Sequence, residues 1–221
     1  MTAPALTAEH LYRFFRTGDD ETLALRGVSL SVAAGETVAV VGPSGCGKST
    51  LLACLAGLDE PDGGTVRVAG ERLSHRPEAQ RAKVRANRIG VLLQARNLLA
   101  HLDVRANIRL AALAGGGDHR HNVDELLERV GLTHRSMAYS SQLSGGELAR
   151  AGLAVALAND PDIVLADEPT GELDGSTESQ VLNLLRERAG LGAALLVVTH
   201  SARVVAIADR VVTLHDGAVA A

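Results

Sequence analysis

Aromatic side chains are nearly missing from this sequence: tryptophan is absent, and two tyrosines and two phenylalanines make up 2% of 221 residues, although 46% of the chain is hydrophobic. The core is therefore built from Ala, Val, Leu and Ile, and each aromatic needs its own explanation. Cysteine is equally scarce. Cys46 and Cys54 are the only two, too few for a disulfide framework or a four-ligand zinc site, so a reducing cytosol is the expected compartment. Basic charge is not in excess either. The formal net charge of −4 removes the electrostatic basis for a nucleic-acid partner. No apolar run reaches the roughly 18 to 20 residues that cross a bilayer, and the N-terminus lacks the apolar core of a signal peptide. The chain is expected to be cytoplasmic, with any membrane part supplied by a partner.

The hydrophobic residues that are present follow a strand–helix alternation. Short β segments are expected around Leu6–Phe15, Val28–Val32 and Thr37–Val41, separated by turns at Thr17–Asp20 and Ala33–Gly35. A buried helix over Lys48–Ala56 stops at Gly57, and the turn Asp62-Gly63-Gly64 leads into a strand at Thr65–Val68. Between about Gln94 and Asn159 the strand pattern fades. Helices are expected there over Val104–Leu113, Val123–Val130 and Glu147–Ala158, interrupted by the flexible run Gly115-Gly116-Gly117. Ile163–Ala166 and Ala194–Val198 are continuous apolar strands suited to the middle of a parallel sheet. Arg210–Leu214 is a final strand, ending at the turn His215-Asp216-Gly217. This pattern points to an α/β nucleotide-binding core carrying a helical subdomain.

Directly after the strand Thr37–Val41 comes Gly42-Pro43-Ser44-Gly45-Cys46-Gly47-Lys48-Ser49, a G-x-x-x-x-G-K-[ST] loop in its required strand–loop–helix setting. Such glycines let backbone N–H groups turn inward around phosphate oxygens, and the following helix offers its positive dipole end to the same charge. Lys48 is expected to reach the β and γ phosphates and Ser49 to ligate Mg²⁺. Lysine is otherwise almost unused, Lys48 and Lys83 being the only two among 22 basic residues, so a compact ammonium has been kept at this loop. Cys46 is expected to be a small filler.

Two further constellations carry chemistry. The apolar run Ile163–Ala166 ends in Asp167 and Glu168, and Pro169 stops it from continuing as a regular ladder. Both acids then sit at the C-terminal edge of a strand, where ligands of open α/β sheets bind, so Asp167 suits the Mg²⁺ shell and Glu168 the attacking water. Leu143-Ser144-Gly145-Gly146-Glu147 opens a helix with a capping box between Ser144 and Glu147. The box does not explain two successive glycines, whose place at an exposed helix start makes an anion-binding surface.

These residues resemble, in order and spacing over essentially the whole chain, those of ABC-transporter ATPases. The loop at 42–49 is similar to the Walker A motif, Leu143–Glu147 to the ABC signature, and Ile163–Glu168 to Walker B with its catalytic glutamate. Gln94 is similar to the Q-loop, Gly171–Asp174 to the D-loop and His200 to the H-loop. The resemblance is strongest to the branch of lipoprotein-release, macrolide-efflux and FtsE-like cell-division systems. It implies a P-loop NTPase core, mainly a parallel sheet flanked by helices, with an N-terminal antiparallel β subdomain and an α-helical signature subdomain. One domain would span residues 1–221, with 1–93 and 160–221 in the core and β subdomain and about 94–159 in the helical part.

The same resemblance implies ATP and Mg²⁺ as ligands. Gly42 to Ser49 with Thr50 would bind the phosphates, Phe15 would stack on adenine, and Tyr12 and Phe14 are alternatives for that stacking. Glu168, His200 and Gln94 would be catalytic, and Ser49, Gln94 and Asp167 would hold the metal. Ser144, Gly145, Gly146, Glu147 and Asp174 would reach the nucleotide of a second copy, giving a homodimer closed by sandwiched ATP on the inner face of a membrane, beneath a separate permease. A regulatory ATPase that transmits force to a cell-envelope enzyme without transport would carry the same motifs. Three positions depart from the commonest pattern. Glu147 stands where many members have Gln, Glu172 replaces a frequent Asn, and Ala95-Arg96 is an unusual pair after Gln94.

Overall fold

The structure is a computed structural model that describes residues 4–17, 20–94, 97–116, 122–171 and 173–220; Ala95, Arg96, Gly117 and Glu172 lie outside the described residues. Its strands are β1 Leu6–Thr17, β2 Asp20–Val32, β3 Thr37–Val41, β4 Gly63–Val68, β5 Glu71–Arg72, β6 Ile89–Leu92, β7 Ile163–Asp167, β8 Ala194–Val198, β9 Arg210–His215 and β10 Ala218–Val219. The helices are α1 Lys48–Leu55, α2 Glu78–Arg88, α3 Val104–Ala114, α4 Val123–Arg129, α5 Gly145–Leu157, α6 Gly175–Gly190 and α7 Ala202–Ile207.

Two sheets form. An antiparallel sheet has the order β2-β1-β4-β5, and a second sheet has the order β10-β9-β3-β8-β7-β6. In the second, β9 through β6 pair in parallel and only β10 runs against its neighbour. The central strands are apolar along their length because both faces are covered. Their side chains alternate between two cores. Ile163, Leu165, Leu196 and Val198 join α1 and the antiparallel sheet on one side, whereas Val164, Ala166, Leu195 and Val197 join α3, α4, α5 and α6 on the other. Leu165 and Leu196 are fully buried, so truncating either to Ala costs about 2–5 kcal/mol.

Helix starts are capped by short polar side chains. Asp103 accepts from the N–H of Ala106 at 2.7 Å to open α3, Asn122 opens α4, and Ser144 with Glu147 forms the expected capping box of α5. Helix α5 begins at Gly145, two residues before the expected start, because the box closes around those two glycines.

Several expectations are corrected. The strand expected over Val28–Val32 is longer: β2 starts at Asp20, which was expected to close a turn, and pairs with β1 through Leu25↔Arg13 and Leu23↔Phe14. Register shifts in β1 break the simple alternation that marks a strand in sequence. Gly63 and Gly64 belong to β4, not to a turn, with Gly63 opposite Tyr12. Gly115 is a packed helix end, since a Cβ there would lie 2.5 Å from Cγ of Asn159. The helices α2, α6 and α7 were not marked by apolar periodicity. In α2 only Val84 is buried, and α7 is six residues long.

Candidate active site

The loop between β3 and α1 lies between two parallel neighbours, β9 and β8, at the C-terminal edge of the sheet. Gly47 is the N-cap of α1 at φ 103, and no side chain caps this helix. A Cβ at Gly47 would overlap the carbonyl oxygen of Ala24 in β2, so only glycine lets the loop tuck beneath that strand. The first N–H groups of α1 are thus left for a ligand, beside a positive dipole end with no acidic residue in the first turn. Lys48 is buried and its Nζ donates to the carbonyls of Gly42 and Pro43, each at 2.8 Å. Cys46 is also buried, with Sγ 4.0 Å from that ammonium, as expected of a filler. Pro43, Ser44 and Gly45 form the exposed rim.

The loop opens onto a hollow lined by Phe15, Ala24, Lys48, Ser49, Thr50 and Asp216 among others. Phe15 is exposed and carries the Arg13 guanidinium over its ring, 4.8 Å from the centroid. Arg13 is itself held by Asp59 at 2.8 Å. Tyr12 instead leans on Gly27, its hydroxyl 2.9 Å from where a Cβ would stand, and Phe14 is half-buried. Of the three aromatics, only Phe15 faces the hollow. Sequence reasoning missed the far wall. Gly217 accepts from the N–H of Arg26 at 2.7 Å and donates to the carbonyl of Cys46 at 3.0 Å, so the turn after β9 closes the hollow. The Asp216-Gly217 pair was visible as a turn, but nothing local tied it to the loop.

Asp167 ends β7, opposite Val198 of β8, and its Oδ2 accepts from the Ser49 hydroxyl at 3.0 Å. This hydroxyl and carboxylate offer hard oxygen donors, which fits a small divalent cation shared with phosphates. Glu168 follows at φ 45, a left-handed conformation unusual for a side-chain-bearing residue. That turn directs its carboxylate across to the end of β8. Oε2 accepts from the Thr199 hydroxyl and the His200 N–H, both at 3.3 Å, and His200 Nε2 lies 3.7 Å from Oε1. Oε1 is buried yet has no hydrogen-bond partner among the described residues, an acceptor left for a group that the chain itself does not supply. Thr199, fully buried, was another residue missed, signalled only by its place before His200.

Gln94 is exposed just after β6 and borders a second hollow with Glu168, Gly145 and Leu173. Ser144 and Glu147 hold each other by Ser144 N–H to Glu147 Oε2 at 2.8 Å and Glu147 N–H to Ser144 Oγ at 3.3 Å. The Ser144 N–H, with help from Arg135, holds the Glu147 carboxyl below the usual range. Ser144, Gly145 and Gly146 do not border the phosphate-loop hollow of their own chain. Asp174 caps α6: Oδ1 accepts from the N–H groups of Ser176 and Thr177 at 3.0 Å, and Oδ2 from the Thr177 hydroxyl at 2.8 Å. Hydrogen bonds from Ser176 first, then Thr177, hold this carboxyl far below its ordinary range. The expected contact of Asp174 with nucleotide therefore has a local competitor, since both oxygens are already engaged.

Residues 25–171 match the family described as ABC transporter. The macrolide export ATP-binding/permease protein MacB of Chlorobium luteolum is 41% identical over 220 residues, covering 99% of this chain and 33% of that protein. MacB of Shigella flexneri is 39% identical over 217 residues, covering 97% and 34%. The chain thus spans about a third of the length of these curated relatives. Among solved structures, the dimeric bacterial ABC transporter cassette MJ0796 has a TM-score of 0.91 at 31% identity, with 98% of this chain and 97% of that one covered. The MJ0796 dimer bound to ADP and Pi, a post-hydrolysis state, gives a TM-score of 0.90 at the same identity and coverage. With well over half of its length inside the family match and its fold shared end to end, this chain belongs to the ABC transporter family, as an ATP-binding cassette.

Proposed function

We propose that this cassette hydrolyses ATP between two copies of itself and passes the resulting motion to a membrane permease. The observation that carries the reading is the buried Oε1 of Glu168, which accepts no hydrogen bond among the described residues and lies beside His200, next to Asp167 with its bound Ser49 hydroxyl. The phosphates of ATP sit on the N–H groups that open α1, and Lys48 exchanges loop carbonyls for phosphate oxygens. Ser49 and Asp167 are the residues that would hold Mg²⁺, and Gln94, just after β6, would join them. Mg²⁺, when bound, neutralises phosphate charge as it develops.

Glu168 Oε1 accepts a hydrogen bond from the attacking water and sets it in line with the γ-phosphorus, while His200 fixes the carboxylate. As the water oxygen forms the new P–O bond its proton passes to Glu168 Oε1 and on to the departing phosphate or solvent, the bond from the γ-phosphorus to the ADP oxygen breaks, and ADP and phosphate leave. One chain supplies only half of the enclosure, because its own Ser144–Gly146 face lies away from its own phosphate loop. A second copy related by a two-fold axis brings that face over the γ-phosphate, giving two sites per dimer.

No helix among the described residues is long and apolar enough to cross a membrane. The permease function carried in the name of the MacB relatives therefore belongs to another chain or segment. The cassette then works at the inner face of a membrane, and export of the kind named for those relatives is the proposed task. The test is Glu168→Gln, which preserves shape but weakens the acceptor. ATP binding is expected to persist, turnover to fall by a factor on the order of 10² or more, and an ATP-bound dimer to accumulate in size-exclusion chromatography. Native turnover by this variant removes Glu168 from its role.

A further inference from the structure

Outside the residues assigned above, one carboxylate gathers segments from both strand ends that carry the hydrolytic pair. Glu178 lies in the first turn of α6, its side chain 12% exposed. Its Oε1 accepts from the Ser201 hydroxyl at 2.9 Å and from the Thr170 hydroxyl at 3.3 Å. Its Oε2 accepts from Arg203 Nη1 at 2.8 Å. Thr170 is buried and follows Glu168 by two residues, and Ser201 directly follows His200. A second link runs through the backbone: the Ser201 N–H donates to Thr199 Oγ1 at 2.9 Å, and that hydroxyl donates to Glu168 Oε2 at 3.3 Å. The neighbouring residue Thr177 packs against Gly146, so the same helical turn touches the face proposed to meet the second copy.

We propose that Glu178 is a positioning residue for hydrolysis: its Oε1 ties the chain after Glu168 to the chain after His200 and anchors both to the first turn of α6. This rests on the assignment of Glu168 and His200 to the hydrolytic step. The separation of functions within one carboxylate is specific. Oε1 holds the two hydroxyls, whereas Oε2 serves Arg203, whose side chain is largely exposed. The Arg203 hydrogen bond, followed by that from Ser201, keeps the Glu178 carboxyl below the ordinary range, so it is ionised at neutral pH and its oxygens act as acceptors only. Without it, the Thr170 and Ser201 hydroxyls lose their common acceptor, and the segments beyond the two strand ends are held together only by the β7–β8 ladder and the Thr199–Glu168 contact. A misplacement of about 1 Å at a reacting group costs up to ~10²-fold in rate.

The test compares Glu178→Ala with Glu178→Gln in steady-state ATP hydrolysis, with Glu168→Gln as control and thermal unfolding measured alongside. The amide retains a carbonyl oxygen for Thr170 and Ser201 and gives up only the Arg203 contact. Glu178→Ala is expected to lower kcat about tenfold with KM for ATP within about twofold, and Glu178→Gln to restore most of the rate. Ser201→Ala, which leaves the carboxylate and its arginine in place, is expected to lower kcat less and in the same direction, and decides the matter should Glu178→Ala fail to fold. The proposal is overturned by native kcat in Glu178→Ala or, if that variant does not fold, in Ser201→Ala. It is also overturned by equal losses in the Ala and Gln variants that track a fall in Tm. An inactive Glu168→Gln beside an unaffected Glu178→Ala overturns this inference alone, whereas an active Glu168→Gln overturns the site assignment with it.

Discussion

The side chain of Thr177 occupies the space that a side chain on Gly146 would need, its Cγ2 lying 2.6 Å from the Cβ position. This splits a glycine pair that looked uniform in sequence. Gly146 is demanded by packing of α5 on α6, whereas a Cβ at Gly145 would meet nothing within 4 Å. In the proposed dimer, Gly145 is the position left open for the nucleotide of the second copy.

Opposite effects are therefore expected from two identical substitutions. Gly146→Ala forces α5 and α6 apart and costs roughly 1–3 kcal/mol, as overpacking does, lowering Tm. Gly145→Ala fits without a clash and keeps or slightly raises Tm, since Ala favours a helix over Gly by up to about 1 kcal/mol. Its ATPase rate falls all the same, because the methyl group stands between the helix start and the second copy's nucleotide. Thermal unfolding and steady-state turnover on both variants check this. Undiminished turnover in Gly145→Ala shows that the open face is not used.

A second expectation follows from the backbone of Glu168. Its φ of 45 is a conformation that costs a side-chain-bearing residue roughly 1–2 kcal/mol. Glycine adopts it freely, so Glu168→Gly is expected to unfold at higher temperature than the native chain while losing turnover. A lower Tm means that the hydrogen bonds from Thr199 and His200 outweigh the strain.

Much of this arrangement was legible in the sequence because the relevant signals are local. The phosphate loop, the strand ending in Asp167 and Glu168, and the capping box of Ser144 each lie within one short stretch, and β3, β7 and β8 announce themselves as apolar runs. The remainder depends on distant segments. Ala24 reaches the loop through the antiparallel sheet and Asp216 through the turn after β9, and the cluster around Glu178 joins Thr170, Ser201 and Arg203 across three segments. Helix α6 begins Gly-Ser-Thr, poor helix formers, and is started by the side chain of Asp174 rather than by apolar spacing.

Which aromatic is offered to the phosphate-loop hollow is also decided by tertiary placement. Phe15 lines the hollow, and Tyr12 packs over Gly27 and Gly63. Phe15→Ala is expected to weaken ATP binding by about 1–3 kcal/mol, the usual worth of one base–aromatic stack, and Phe15→Tyr to preserve it. Tyr12→Ala leaves affinity unchanged. Titration with a fluorescent ATP analogue distinguishes the three, and a loss confined to Tyr12→Ala reassigns the stack.

Asp174 separates a capping role from a ligand role. Asn caps a helix about as well as Asp does, so Asp174→Asn is expected to lower Tm at neutral pH only by what the ionised carboxylate adds, and Asp174→Ala to lower it further. The sign of the pH effect follows from the carboxyl being held below its ordinary range by Ser176 and Thr177. A depressed folded-state value means that the contribution is complete above the unfolded value near 4 and is lost as pH falls toward the folded one. Native Tm should therefore drop more steeply below about pH 4 than that of Asp174→Asn, whose amide does not titrate. The ATPase rate at neutral pH then tells the two roles apart. Asp174→Asn turning over at the native rate leaves the carboxylate as a cap alone, while a slow variant that remains folded at the assay temperature shows that its charge also acts across the dimer.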